Sequence, residues 1–314
     1  MNDYDQLLPA YSADQPEVIG IVRKMRAVLD AYDDRMMVGE LYLPIHRLVT
    51  YYGTPEENGV HLPFNFQLIS LPWRAAALAA AIDSYEGALP AHGWPNWVLG
   101  NHDQPRITSR VGPEQAKVAA MLLLTLRGTP TLYYGDEIGM RDVPIPQGEV
   151  RDPQGINMPG KNLSRDPERT PMQWDNGPNA GFTEGAPWLR LDRNAARINV
   201  AAQRQDPHSM LRLHQRLIRL RESEPALASG GYAPVFSDTQ CLAYLREAPG
   251  EGGARFLIVL NLTHRPCYFD LGPARAGSIE VSILPEREGE RAEGTLTLAG
   301  DEGLLIRLDA EASG

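Results

Sequence analysis

Four times within the first 137 residues a short apolar run ends near a glycine or a polar cluster, and three of the four runs carry a carboxylate at or just past the tip. Met36-Met37-Val38-Gly39 runs into Glu40, and Trp97-Val98-Leu99-Gly100 runs into Asn101-His102-Asp103. Thr129 to Gly135 runs into Asp136 and Glu137, and Phe64-Asn65-Phe66-Gln67-Leu68 reads as the remaining strand. Between these runs lie stretches with helical spacing. Val18, Ile21, Val22, Met25, Val28 and Leu29 fall on one face of a helix over residues 16–30, which Pro16 opens and Asp14 can cap. An alanine-rich stretch predicts a helix over 73–89, and Val118, Met121, Leu122 and Leu126 predict another over 114–126. The order α-β-α-β-α-β-α-β implies an α/β fold with parallel strands and right-handed crossovers. In such a fold functional groups sit at the C-terminal ends of the strands, where Glu40, Asp103 and Glu137 fall.

Further along the regularity breaks. Residues 141–206 are rich in Pro, Gly, Asn and Asp, a long loop of the kind that carries function or covers a site. Met210, Leu213, Leu217 and Leu220 then form one stripe of a helix over 207–222, with arginines on its opposite, exposed face. From Gly230 onward the texture is that of a small antiparallel β-sandwich. Apolar or alternating runs at 241–246, 255–261, 267–271, 279–284, 295–298 and 304–308 are separated by Gly-rich or acidic turns. The chain therefore divides into 1–229 and 230–314, with the linker near 226–231.

The net charge of −10, without any long Lys/Arg run, argues against nucleic acid and anionic membranes as partners. No apolar run reaches membrane-spanning length. The polar lead-in over 1–15 has neither the basic nor the apolar region of a secretory signal, so the expected compartment is the cytoplasm. Cys241 and Cys267 lie in apolar, strand-like contexts and read as buried free thiols. No acidic cluster has calcium-loop spacing, and no metal or other cofactor is expected.

Carboxylates on neighbouring strand tips suit glycoside hydrolysis, in which one acid protonates the leaving oxygen and another stays ionised to stabilise an oxocarbenium-like transition state. Glu40, directly after an apolar run, is expected to be partly buried, and Asp103 has His102 and Arg106 beside it in sequence. The signatures Val38-Gly39-Glu40, Gly100-Asn101-His102-Asp103 and residues 128–137 resemble, in order, those of the α-amylase family, glycoside hydrolase family 13. Residues 165–175, Arg-Asp-Pro-Glu-Arg-Thr-Pro-Met-Gln-Trp-Asp, resemble its α-glucosidase and oligo-1,6-glucosidase branch, to which trehalose-forming relatives also belong. The resemblance covers essentially the whole chain. It implies the C-terminal half, strands 5–8, of a (β/α)8 TIM-type barrel followed by the β domain. It further implies that Glu40 is the general acid/base, Asp103 the transition-state stabiliser, His102 a hydroxyl-binding neighbour and Arg165 a wall of the innermost sugar subsite. Arg169 reads as structural. The implied substrate is a small α-glucoside or oligosaccharide.

The family's nucleophilic Asp belongs on a strand before the Glu strand, and upstream of Glu40 only one helix and a polar lead-in are found. Asp3, Asp5, Asp14, Asp30, Asp33 and Asp34 all lie in polar or helical settings. A retaining mechanism needs both carboxylates. The expectation is a truncated form, inactive alone, whose uncovered strand faces promote self-association or pairing with a separate first half. Two alternatives remain open at this point. One is a non-catalytic, glycoside-hydrolase-like protein that binds sugar or a partner. The other is a transglucosidase or trehalose-forming relative.

Overall fold

In the computed structural model, residues 11–310 are described apart from Ser12, Glu251 and Ala274. Most of the polar lead-in, with Asp3 and Asp5, lies outside the described residues. The first strand, β1 (Val38–Gly39), pairs in parallel with β2 (Leu62–Pro63). Next in the chain, β3 (Asn96–Val98) pairs in parallel with β4 (Thr129–Thr131). A parallel bridge between Asn65 and Trp97 joins the two pairs into one succession of four. The run over 64–68 is thus strand-like only at its start. Leu62–Pro63 makes the ladder, while Gln67–Ser70 coils into a helical turn started by the Asn65 side chain, which accepts from the Gln67 amide at 3.0 Å.

Helices stand where the spacing places them: Pro16–Leu29, Ala75–Ala88, Pro113–Thr125 and Met210–Ser223. In the second of these, Ala75, Leu78, Ala79, Ile82 and Tyr85 are buried on one stripe. The Pro113–Thr125 helix is buried almost all round because it lies between two layers, with residues of the other helices and the parallel strands on one flank and the β domain on the other. The arginine-lined face of Met210–Ser223 is not a free surface. Arg221 donates to the carbonyls of Leu124 (2.8 Å) and Leu126 (2.9 Å) and to that of Gly128, satisfying the end of the neighbouring helix. Arg216 pairs with Glu288 at 3.1 Å.

The Pro16–Leu29 helix differs from expectation. None of its residues is buried, and Ile21, Met25 and Val28 are 53–66% exposed. Its apolar stripe has no partner layer among the described residues. Asp14 does not cap it either, being held by Arg47 (2.8 and 2.9 Å) and the Tyr51 hydroxyl (2.9 Å). Arg47 is the main cause of the low proton affinity of the Asp14 carboxyl. Val38 on β1 and Leu132 and Tyr134 after β4 are also exposed. Exposed apolar side chains thus stand at both edges of the strand succession.

The remaining strands are β5 (Gly231–Ser237), β6 (Cys241–Glu247), β7 (Arg255–Asn261), β8 (Cys267–Asp270), β9 (Ala276–Ser282), β10 (Arg291–Glu293), β11 (Thr295–Leu298) and β12 (Gly303–Leu308). They form an antiparallel six-stranded sheet in the order β10-β9-β12-β7-β6-β5 and an antiparallel pair, β11-β8. β8 and β11 alternate inward and outward residues, as a sheet with one wet face should. β6 and β7 are instead near-continuous apolar runs, because both faces are covered. Leu257 and Val259 pack toward the small sheet, and Phe256, Ile258 and Leu260 toward the helices. Arg246, fully buried, stitches this junction by donating to the carbonyls of Thr125 (2.5 Å), Leu227 (3.1 Å) and Gly230 (3.0 Å).

The cysteines are not free thiols. Cys241 and Cys267 form a disulfide joining β6 of the large sheet to β8 of the small one. Alternation points both side chains into the same inter-sheet core, and only the stacking of the two sheets, invisible in the local sequence, brings them together.

Candidate active site

Gly100 ends the third apolar run in a tight spot: a Cβ would lie 3.0 Å from Oδ2 of the buried Asp136. The chain then turns through Asn101-His102-Asp103. The Asn101 side chain accepts the Asp103 amide at 3.0 Å and fixes that turn.

Two guanidinium groups converge on one oxygen of Asp103: Arg165 Nη1 donates to Oδ1 at 3.0 Å and Arg169 Nη2 at 2.6 Å. His102 Nε2 lies 3.4 Å from the same oxygen, and Arg169 Nε also donates to the His102 carbonyl at 2.8 Å. Arg165 is aimed by a second carboxylate. Its Nε and Nη2 fork onto Asp152 at 3.0 and 2.9 Å, and its backbone amide donates to Asp152 at 2.8 Å. These bonds, those from Arg165 first, hold the Asp152 carboxyl far below the usual carboxylate range and make Arg165 a more firmly held cation. The structure thus brings together Asp103, His102 and Arg165, which the sequence singled out, and Arg169, which the sequence reading sets aside as structural. The four-residue spacing of Arg165 and Arg169 across one helical turn, Asp166–Arg169, was the available signal.

Arg106, expected beside Asp103, faces elsewhere. It is fully buried between the rings of Tyr133 and Tyr134, 4.6 and 4.8 Å from their centroids, and donates to the Tyr134 carbonyl at 2.6 Å. Asp136 lies 3.8 Å away, and its carboxyl is pushed up to about 7 by burial, a rise that the Arg106 charge only partly offsets. This pair supports the strand tips from below.

Asp103 lines a cleft of about 640 Å³ together with Tyr42, Gln104, Asp142, Arg165 and Glu168, a size ordinary for small-molecule sites. Glu168 is 5% exposed, and burial, with the Asp142 charge adding to it, pushes its carboxyl up to about 8. Glu40 follows β1 and is exposed, so the partial burial expected for it is absent among the described residues. Tyr42 connects the two tips. Its ring stacks on Phe66 with centroids 4.3 Å apart, and its hydroxyl accepts from Asn101 at 2.9 Å. Burial raises its phenol, and the charges of Glu40 and Asp103 both add to the rise. Glu137 turns back to accept the Gly135 amide at 2.7 Å and serves the turn after β4.

No helix among the described residues is long and apolar enough to cross a membrane. The family profile described as "Alpha amylase, catalytic domain" matches residues 2–230. The chain is 34% identical over 278 residues to an alpha-glucosidase of Apis mellifera, which covers 86% of this chain and 48% of that protein. It is 35% identical over 269 residues to the amino acid transporter heavy chain SLC3A1 of Homo sapiens, covering 83% of this chain and 38% of the relative. Among solved structures it resembles the alpha-glucosyl transfer enzyme XgtA, with a TM-score of 0.84 at 30% identity, over 94% of this chain and 55% of the other. The chain spans about half the length of these curated relatives or less. With its catalytic-domain profile filling residues 2–230, the chain belongs to the α-amylase family of glycoside hydrolases.

Proposed function

We propose that this chain supplies one half of an α-glucosidase-type active site that hydrolyses small α-glucosides with retention. Residues 1–229 would be strands 5–8 of a (β/α)8 barrel, and 230–314 the accompanying β-sandwich domain. The observation that carries the reading is the convergence of Arg165 and Arg169 on Asp103 at a strand tip opening into a cleft. A carboxylate so held stays placed to bind sugar hydroxyls and to face the positive charge that develops at the anomeric carbon. Glu40, on the tip of β1, would protonate the leaving oxygen and then activate water. His102, exposed beside Asp103, would bind a hydroxyl, and Arg165 would wall the innermost subsite.

Double displacement also requires a nucleophilic carboxylate, and no residue upstream of Glu40 stands on a strand tip among the described residues. The exposed stripe of the Pro16–Leu29 helix, with Val38 at one edge of the strand succession and Leu132 and Tyr134 at the other, leaves apolar groups at both edges for a complementary first half to cover. Turnover in this reading belongs to the complemented protein. The test is to co-express the chain with the first half of an α-glucosidase relative and assay p-nitrophenyl α-glucoside. Hydrolysis that is lost with Glu40→Gln is expected. No hydrolysis from a complex that does assemble, or hydrolysis indifferent to Glu40→Gln, refutes the proposal.

A second reading changes only the acceptor. The likeness to a structure described as an alpha-glucosyl transfer enzyme favours transfer to a sugar over transfer to water. Supplying the complemented protein with sucrose or maltose and analysing the products separates the two, since transfer yields a new glycosidic linkage and hydrolysis yields glucose.

A further inference from the structure

Beside the Asp103 cleft the long loop folds a second concavity, of about 410 Å³, that the proposed chemistry does not use. Its walls are Ile145, Glu149, Val150 and Arg151 on one side and Trp188 and Arg190 on the other. Trp188 is 54% exposed, while its neighbour Leu189 is only 4% exposed. The buried leucine anchors the segment, and Pro187 limits the backbone before it, so the indole is presented outward on a fixed base. In the same concavity, Arg190 and Glu149 form a forked pair, with Arg190 Nε donating to Glu149 Oε2 at 2.9 Å and Nη2 to Oε1. Both members are partly exposed, so each keeps donor or acceptor capacity turned to solvent.

A half-exposed indole and a forked Arg–carboxylate pair lining one concavity are chemistry for a neutral, hydroxyl-rich ring. The flat apolar face of a pyranose covers the indole, and its equatorial hydroxyls meet the guanidinium and carboxylate edges. A charged ligand would find one of the two paired charges against it, and a purely apolar one would leave the pair unused. The site is also tied to the Asp103 cleft through a single stretch of chain. Residues 145–151 wall this concavity, and the next residue, Asp152, holds Arg165 on Asp103, while Gln154 lines the Asp103 cleft itself.

We infer that the Trp188 concavity is a separate binding site for a glucosyl unit of an α-linked oligosaccharide, one that retains longer chains next to the Asp103 cleft. The choice of an α-glucosyl ligand rests on the reading of the chain as part of an α-glucosidase.

The experiment is a calorimetric titration of the chain as it stands with maltohexaose, for wild type, Trp188→Ala, Trp188→Phe and Trp174→Ala. Trp174 is another exposed indole of the same loop, outside the concavity. The expected result is millimolar or tighter binding by wild type, weakened roughly tenfold or more in Trp188→Ala. Binding should be largely kept in Trp188→Phe, which keeps an aromatic face, and unchanged in Trp174→Ala. Absence of binding by wild type, or equal affinity of the wild type and Trp188→Ala, overturns the inference. Circular dichroism of Trp188→Ala controls for folding, and if that variant fails to fold, loss of affinity in Arg190→Ala with Trp188→Phe retained decides in its place. Failure of the α-glucosidase reading shows elsewhere, as missing hydrolysis of p-nitrophenyl α-glucoside by the complemented protein. That substrate is too small to report on this site.

Discussion

Replacing Asp136 by Asn should flatten the pH dependence of stability between about pH 4 and pH 7. Asp136 is 5% exposed, and its carboxyl is pushed up from 3.8 to about 7, chiefly by burial. The folded protein therefore binds this proton more tightly than the unfolded chain does. The contribution to stability is largest below the unfolded value, falls as pH rises toward the folded value, and is level above it. The interval from 3.8 to about 7 corresponds to roughly 4 kcal/mol, of which roughly 2 kcal/mol falls between about pH 5 and pH 7. Asn carries no titrating proton and keeps nearly the same shape under Gly100. The assay is urea denaturation of wild type and Asp136→Asn at a series of pH values. The difference between their unfolding free energies should move in favour of Asn as pH rises through this window. Parallel curves, or a difference moving the other way, would refute the assignment of the burial cost to Asp136. The consequence reaches the site, because Asp136 sits against Gly100, one residue before Asn101-His102-Asp103.

Two further outcomes follow from the packing. Removing the Cys241–Cys267 disulfide by a double Ser substitution frees a loop spanning 26 residues of separation and should cost roughly 3–4 kcal/mol, read as a lower denaturation midpoint. A wild type whose midpoint is unmoved by reductant would contradict it. Gly128→Ala places a side chain at a φ of 117°, with its Cβ 2.5 Å from the Pro95 carbonyl oxygen, immediately before β4. The expected loss is about 2 kcal/mol or more, measurable by thermal unfolding.

Much of this molecule is legible in its sequence, for a physical reason. Helical spacing and glycine-terminated apolar runs are local signals, so the four helices and three of the four parallel strands stand close to where the periodicity places them. Glycine at 128 marks a position where only hydrogen fits, and Gly100 one where a side chain would crowd Asp136. Signals that depend on distant chain are not legible. Phe64 to Leu68 has strand composition, but the Asn65 side chain starts a helical turn within it. The stripe of the Pro16–Leu29 helix is amphipathic and still uncovered, since periodicity records that a face is apolar and not what covers it. Cys241 and Cys267 are apolar in context and meet only because two sheets stack. At the site, Asp103, His102 and Arg165 are singled out from their motifs, whereas the convergence of two arginines on Asp103 is not legible. Arg106 is three residues away and turns inward, while Arg165 and Arg169 arrive from more than sixty residues downstream.

The measurement that bears most directly on the proposed half-site is azide rescue of Glu40→Ala in the complemented protein. An acid/base residue is needed both to protonate a poor leaving group and to activate water. With 2,4-dinitrophenyl α-glucoside, whose leaving group needs no proton, the variant should form the glycosyl-enzyme and then stall. Azide, which needs no general base, should restore turnover and yield α-glucosyl azide. A Glu40→Ala protein that turns over p-nitrophenyl α-glucoside like wild type, or one that forms the glycosyl-enzyme and is indifferent to azide, would contradict the role given to Glu40.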